Sequence, residues 1–184
     1  MFNEFIRYGR LLFQEGLVSS HSGNISRRQG DAIYITRHGA RLGDLEYSDI
    51  VRVHMEASLQ DKAASVEVAV HRAIYQATPA EAIVHAHPPL AIALSIDCDQ
   101  LRPLDAEGKY YLPVIPVLTV QDTIGTEGSI RLLPPVLKEN RVVVIKGHGS
   151  FSVGQSIEEA CQWTAVLESV CRIIYYRETY RKNS

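Results

Sequence analysis

Two histidines one residue apart, His85 and His87 in AIVHAHPP, and a third, His148 in VVVIKGHGS, are the side chains best suited to hold a metal ion. On an extended strand, residues i and i+2 share a face, so an HxH pair aims two imidazoles at one point. Imidazole nitrogens bind zinc at about 2.0–2.1 Å, and an all-nitrogen donor set without nearby cysteine is typical of catalytic zinc sites. His148 follows the apolar run Val142 to Ile145, which reads as a buried strand, and stands between Gly147 and Gly149, which leave its imidazole unobstructed. Two strand ends supplying two and one imidazoles would leave a coordination position for substrate. An HxH pair by itself is equally compatible with two satisfied core or loop histidines.

Glu67 is the candidate acid/base. It opens the helix that precedes the histidine strand, where a carboxylate suits the helix dipole, and from there it could ligate the metal and then swing off as a base. The plainer reading is a helix-terminal acid with no chemical role. The loop Ser22-Gly23-Asn24 and the turn His38-Gly39 offer amide donors to an anion, and Ser65 adds a hydroxyl near a helix N-terminus. Such segments are also ordinary turns. His54 and His71 lie in amphipathic segments and read as packing or surface residues.

These residues must be positioned by alternating helices and strands. Apolar spacing predicts a first helix from Phe2 to near Gly16 and strands at Ala32–Thr36 and Ile50–Met55. A helix follows over Glu67–Gln76, stopped by Thr78-Pro79, and then the histidine strand Ala82–Ala86. Leu90–Ser95 reads as a short helix, 97–113 as loop, Val114–Val117 as a strand and Ile130–Leu137 as a helix. Ser156 with Glu159 forms a capping box for the last helix, whose apolar stripe runs Ile157, Ala160, Cys161, Thr164, Leu167, Cys171, Ile174 and Tyr175. The expectation is one α/β domain over residues 1–184.

Bulk properties fit that picture. The 184 residues are 46% hydrophobic with a formal net charge of −2. Interspersed charges exclude a nucleic-acid arm or a polybasic membrane patch. No window approaches the roughly 18 apolar residues of a transmembrane helix, and the N-terminus does not read as a secretory signal. Three cysteines without a CxxC read as structural thiols of a reducing, cytoplasmic compartment.

The ordered segments GLVSSHSGNIS, ITRHGA, SVEVAVHRAIYQ, AIVHAHP and KGHGSFSVGQSIEEA resemble the class II aldolase/adducin family, over about residues 7–176. The pattern looks most like the L-fuculose-1-phosphate aldolase branch. The resemblance implies a central, mainly antiparallel sheet flanked by helices, and a homotetramer with sites at subunit interfaces. It implies Zn²⁺ on His85, His87 and His148, with Glu67 as acid/base and occasional ligand. A phosphate pocket would be formed by Gly23, Asn24, His38, Gly39, Ser65 and Val66. The implied reaction cleaves a small ketose 1-phosphate into dihydroxyacetone phosphate and an aldehyde through a metal-stabilised enediolate, a step of carbohydrate metabolism.

The chain departs from that pattern in places. His38 stands where threonine is usual, Val66 replaces one of two serines, and His21 replaces a threonine. His21 and His38 are alternative phosphate contacts in place of the missing hydroxyls. The long C-terminal tail that carries a tyrosine acid in fuculose-phosphate aldolases is also missing, leaving Glu107, Tyr110, Tyr111 and Tyr180 as alternatives. Three other readings stay open: a methylthioribulose-1-phosphate dehydratase, a pentulose-phosphate epimerase and a metal-free adducin-type assembly module. Glu67, where epimerases tend to carry aspartate, counts against the second, and the three histidines count against the third.

Overall fold

Side-chain period separates helices from strands along most of the chain. The computed structural model describes residues 1–122 and 124–182. Helix α1 spans Phe2–Gln14 and is followed by strands β1 (Asn24–Gln29), β2 (Ala32–Thr36) and β3 (Ile50–His54). Helix α2 (Val68–Ala77), strand β4 (Ala82–Ala86) and helix α3 (Pro89–Ser95) form the middle of the chain. Then come β5 (Gln100–Leu101), α4 (Ala106–Tyr111), β6 (Ile115–Leu118), α5 (Glu127–Leu137), β7 (Val142–Ile145), β8 (Gly149–Gly154) and the long α6 (Ile157–Lys182).

The strands form one sheet in the order β3-β2-β1-β4-β8-β7-β6-β5. Every pairing is antiparallel except β6 with β7. Strand β4 lies between β1 and β8, with Asn24 opposite His85 on one side and Phe151 opposite His85 on the other. Alternation along β4 sends Ala82, Val84 and Ala86 into the core under α1 and α6. Ile83 points to the opposite core, which is shared with α2 and α5. His85 follows Ile83 on that second face, which places it under α2.

The expected α/β fold with a mostly antiparallel sheet is present, and several local expectations are corrected. Residues 97–113 are not simply loop: they hold β5 and α4, and Asp105 starts α4 by accepting the Gly108 amide at 2.8 Å. Strands β1 and β8 had no clear alternation to announce them. Helix α5 begins at Glu127 rather than Ile130 because Thr126 caps it, its hydroxyl oxygen accepting the Ser129 amide at 3.4 Å. At α6, Ser156 accepts the Glu159 amide as expected, but the Glu159 carboxylate takes the Gln155 amide instead of completing the box. The buried stripe of α6 also includes Trp163, Val166 and Val170 and ends at Cys171, leaving Tyr175 46% exposed. No helix among the described residues is long and apolar enough to cross a membrane.

Candidate active site

The sheet register brings the candidate residues together. Asn24 and Ser26 sit on β1 opposite His85 and Ile83, on the face covered by α2. Helix α2 presents Glu67, His71 and Tyr75 to that face, all buried. Ser26 Oγ lies 2.6 Å from His71 Nδ1 and 2.7 Å from Tyr75 Oη, so the second layer is hydrogen-bonded as well as packed. His71 is thus the packing residue expected, and burial holds its imidazole neutral with a pKa lowered to about 3.

Glu67 stands at the N-cap position of α2, one residue before the helix proper, and makes no capping hydrogen bond. Its carboxylate turns into the cleft instead of serving the helix. Oε2 accepts Asn24 Nδ2 at 2.8 Å and lies 3.4 Å from His85 Nε2. Oε1 is buried with no hydrogen-bond partner. Burial raises the Glu67 pKa to about 7, against the opposing pull of Asn24 and the Gly125 amide. A carboxyl poised there exchanges protons easily near neutrality.

The three imidazoles form a near-equilateral group, with ring centroids 4.8 Å (His85–His87), 4.9 Å (His85–His148) and 5.1 Å (His87–His148) apart. His85 Nδ1 is 3.0 Å from the Ser150 carbonyl oxygen, which can only accept, so the proton sits on Nδ1 and Nε2 keeps its lone pair. That Nε2 faces His87 Nε2 at 2.9 Å. His148 Nδ1 is buried with no partner. Burial depresses all three pKa values, to about 4 for His87, with the neighbouring imidazoles adding to the effect at His85 and His87. Neutral imidazoles with converging lone pairs, ligand atoms all within 4.8 Å of one another and an orphaned carboxylate oxygen at the edge fit a divalent metal. The carbonyl that orients His85 is the outer partner such ligands usually have.

A cleft of about 370 Å³ opens on this group. Gly23, Asn24 and Glu67 line it with the three histidines, as do His38, Gly39, Ser65 and Val66. His21 reaches it too. The close approach of the first loop needs a residue without Cβ: Gly23 has φ +79°, and a Cβ there would lie 2.6 Å from the His85 carbonyl oxygen. A larger hollow of about 610 Å³ beside Arg27–Gly30 contains no histidine, so size does not select the site.

Sequence reasoning gave no site role to Arg37, Ala40 and Ile124, which also line the cleft. Arg37 lines it, its Nε donating to Asp49 Oδ1 at 2.6 Å, and a cation beside the His38-Gly39 turn was a readable signal. Ile124, 67% exposed, reaches the cleft from the segment before α5 and had no signal in its type or spacing. None of Glu107, Tyr110, Tyr111 and Tyr180 lines the cleft. Tyr110 and Tyr180 are exposed, and Tyr111 packs on Trp163 with centroids 5.6 Å apart.

Known proteins resemble this chain in both sequence and fold. The crystal structure of L-fuculose-1-phosphate aldolase from Thermus thermophilus superposes with a TM-score of 0.96 at 35% identity, covering 100% of this chain and 96% of that one. The L-fuculose phosphate aldolase of Methanococcus maripaludis (strain DSM 14266) is 32% identical over 94% of this chain and 94% of its own. A probable bifunctional methylthioribose-1-phosphate isomerase/methylthioribulose-1-phosphate dehydratase of Nocardia farcinica is also 32% identical, over 90% of this chain, which spans 33% of that longer protein. The profile of the Class II Aldolase and Adducin N-terminal domain matches residues 3–175, so the chain belongs to that family.

Proposed function

We propose that this class II aldolase-family enzyme cleaves a small ketose 1-phosphate into dihydroxyacetone phosphate and an aldehyde, with Zn²⁺ held by His85, His87 and His148. The observation that carries the reading is the buried Glu67 carboxyl, 3.4 Å from a ligand-competent imidazole at the floor of an open cleft. When bound, the ion supplies Lewis-acid polarisation of the substrate carbonyl.

The chain's own groups account for the remaining chemistry. A second proton-transfer group takes the C4 hydroxyl proton as C3–C4 breaks, which releases the aldehyde and leaves the electron pair on the dihydroxyacetone phosphate half. Glu67 returns a proton to C3, and in the synthetic direction removes it. Gly23, Asn24, His38, Gly39, Ser65 and Val66 form the phosphate end of the cleft, where remote binding energy positions the sugar. Arg37, beside this turn, adds positive charge. Residues 1–184 act as one domain in a cytoplasmic homotetramer, and a neighbouring subunit supplies the second proton-transfer group, since Glu107, Tyr110, Tyr111 and Tyr180 lie outside this chain's own cleft.

The test is a panel of ketose 1-phosphates assayed with added Zn²⁺. Release of dihydroxyacetone phosphate supports the proposal. Loss of water from a methylthioribulose 1-phosphate without carbon–carbon cleavage selects the dehydratase reading, which the Nocardia relative favours.

A further inference from the structure

Helix α3 connects the two segments that carry the three histidines. It starts two residues after His87, and its other end touches the residue before His148. Pro88 is the N-cap and Pro89 the first helical residue, so neither offers an N–H. The next two amides, Leu90 and Ala91, therefore need an acceptor, and Pro88 has no side-chain oxygen to give.

Glu168 of α6 fills that need from across the core. Its Oε1 accepts the Leu90 amide at 3.1 Å and its Oε2 accepts the Ala91 amide at 3.0 Å. The side chain is almost fully buried, at 5% residue exposure. At the far end, fully buried Ser95 donates its hydroxyl to the Ile92 carbonyl at 2.7 Å and accepts the Gly147 amide at 3.0 Å. Gly147 turns the chain at φ +68° directly into His148.

We propose that Glu168 and Ser95 are positioning residues of the three-histidine site, acting through α3 as a brace between the His87 and His148 segments. The inference rests on the metal-binding reading above. A helix of seven residues has little intrinsic stability, so the ties at its two ends set where it lies. Moving either end shifts a ligand, and ligand geometry governs affinity for an ion. Neither residue lines the cleft, so both act at one remove.

The experiment titrates metal-free wild type, Glu168→Gln and Ser95→Ala with Zn²⁺ and with Co²⁺. Glutamine satisfies one amide and turns an N–H toward the other, whereas Glu168→Asp keeps both acceptor oxygens. Each of the first two variants should bind Zn²⁺ about 10–100-fold more weakly, the range seen for outer-shell partners of metal ligands. Each should also shift the visible absorption of the Co²⁺ form, and Glu168→Asp should recover part of both effects. Thermal unfolding of the metal-free proteins separates this from general destabilisation. Ser95→Ala stands alone if Glu168→Gln does not fold. Wild-type affinity and spectrum in the variants overturn the brace, whatever their melting temperatures. Failure of the wild type itself to bind either ion overturns the metal-binding reading.

Discussion

A carboxyl group raised to a pKa of about 7 and aimed at an imidazole has been placed at a cost to the fold, and that marks Glu67 for chemistry. Glu67→Gln keeps the shape and the Asn24 contact but cannot carry the proton. Zinc content should persist while kcat falls by about 10²–10⁴-fold, the usual contribution of a positioned acid/base. An unchanged kcat would remove Glu67 from the reaction. His85→Ala should abolish stoichiometric zinc binding, measured by metal analysis after gel filtration. His71, behind the three-histidine group, gives a pH test of stability. Its folded pKa of about 3 lies below the ordinary histidine value of 6.5, so the unfolded chain binds the extra proton between them. Stability from this group is therefore full above about pH 6.5 and is lost as pH falls toward 3, by about 1.4 kcal/mol per unit. Urea titrations of wild type and His71→Gln should diverge across that window, and parallel curves would refute the assignment.

Among elements, the β1 approach loop carries the sharpest steric demand. Gly23→Ala combines a positive φ with a Cβ that presses on the His85 carbonyl, so it should destabilise by about 1–3 kcal/mol. Weaker zinc binding should accompany the fall in melting temperature, because the displaced strand carries a ligand. Elements of clear period were legible in advance: β2, β4 and β7 fall where alternation or an apolar run placed them. Strand β1, with sequence NISRRQ, and β8, with GSFSVG, are polar or small on several positions and are strands because β4 pairs with both. Strand β5 and helix α4 depend on β6 and on the Asp105 cap, neither of which has long-range periodicity. The three-histidine cluster was legible because HxH and GHG are local, and Glu67 does stand at the start of α2. Its turn away from capping, and the approach of Ile124, belong to tertiary packing and left no trace in spacing.

At the scale of the molecule, apolar and aromatic side chains stand exposed on α1 and α6 among other places. Leu11 and Phe13 on α1, and Tyr175, Tyr176 and Tyr180 on α6, are between 38% and 74% exposed. The proposed homotetramer would cover such surface. Sedimentation velocity should show a species near four times the 20.5 kDa protomer, and a monomer at micromolar concentration would overturn that assembly. Saturating zinc should raise the melting temperature of the wild type but not of His85→Ala, since binding to the folded state alone adds about 2.7 kcal/mol at a hundredfold excess over Kd.

The place of β4 between β1 and β8 has a consequence for the order of events in folding. Its partners lie on opposite sides of it in the chain, and the His85–Ser150 contact spans 65 residues. Loop closure makes such distant pairings slow relative to the local β1–β2–β3 meander. Half-folded chains would own the HxH pair but not His148, and so would hold an ion only loosely. Tight capture then becomes a late event, a chemical signal that both halves of the sheet have arrived.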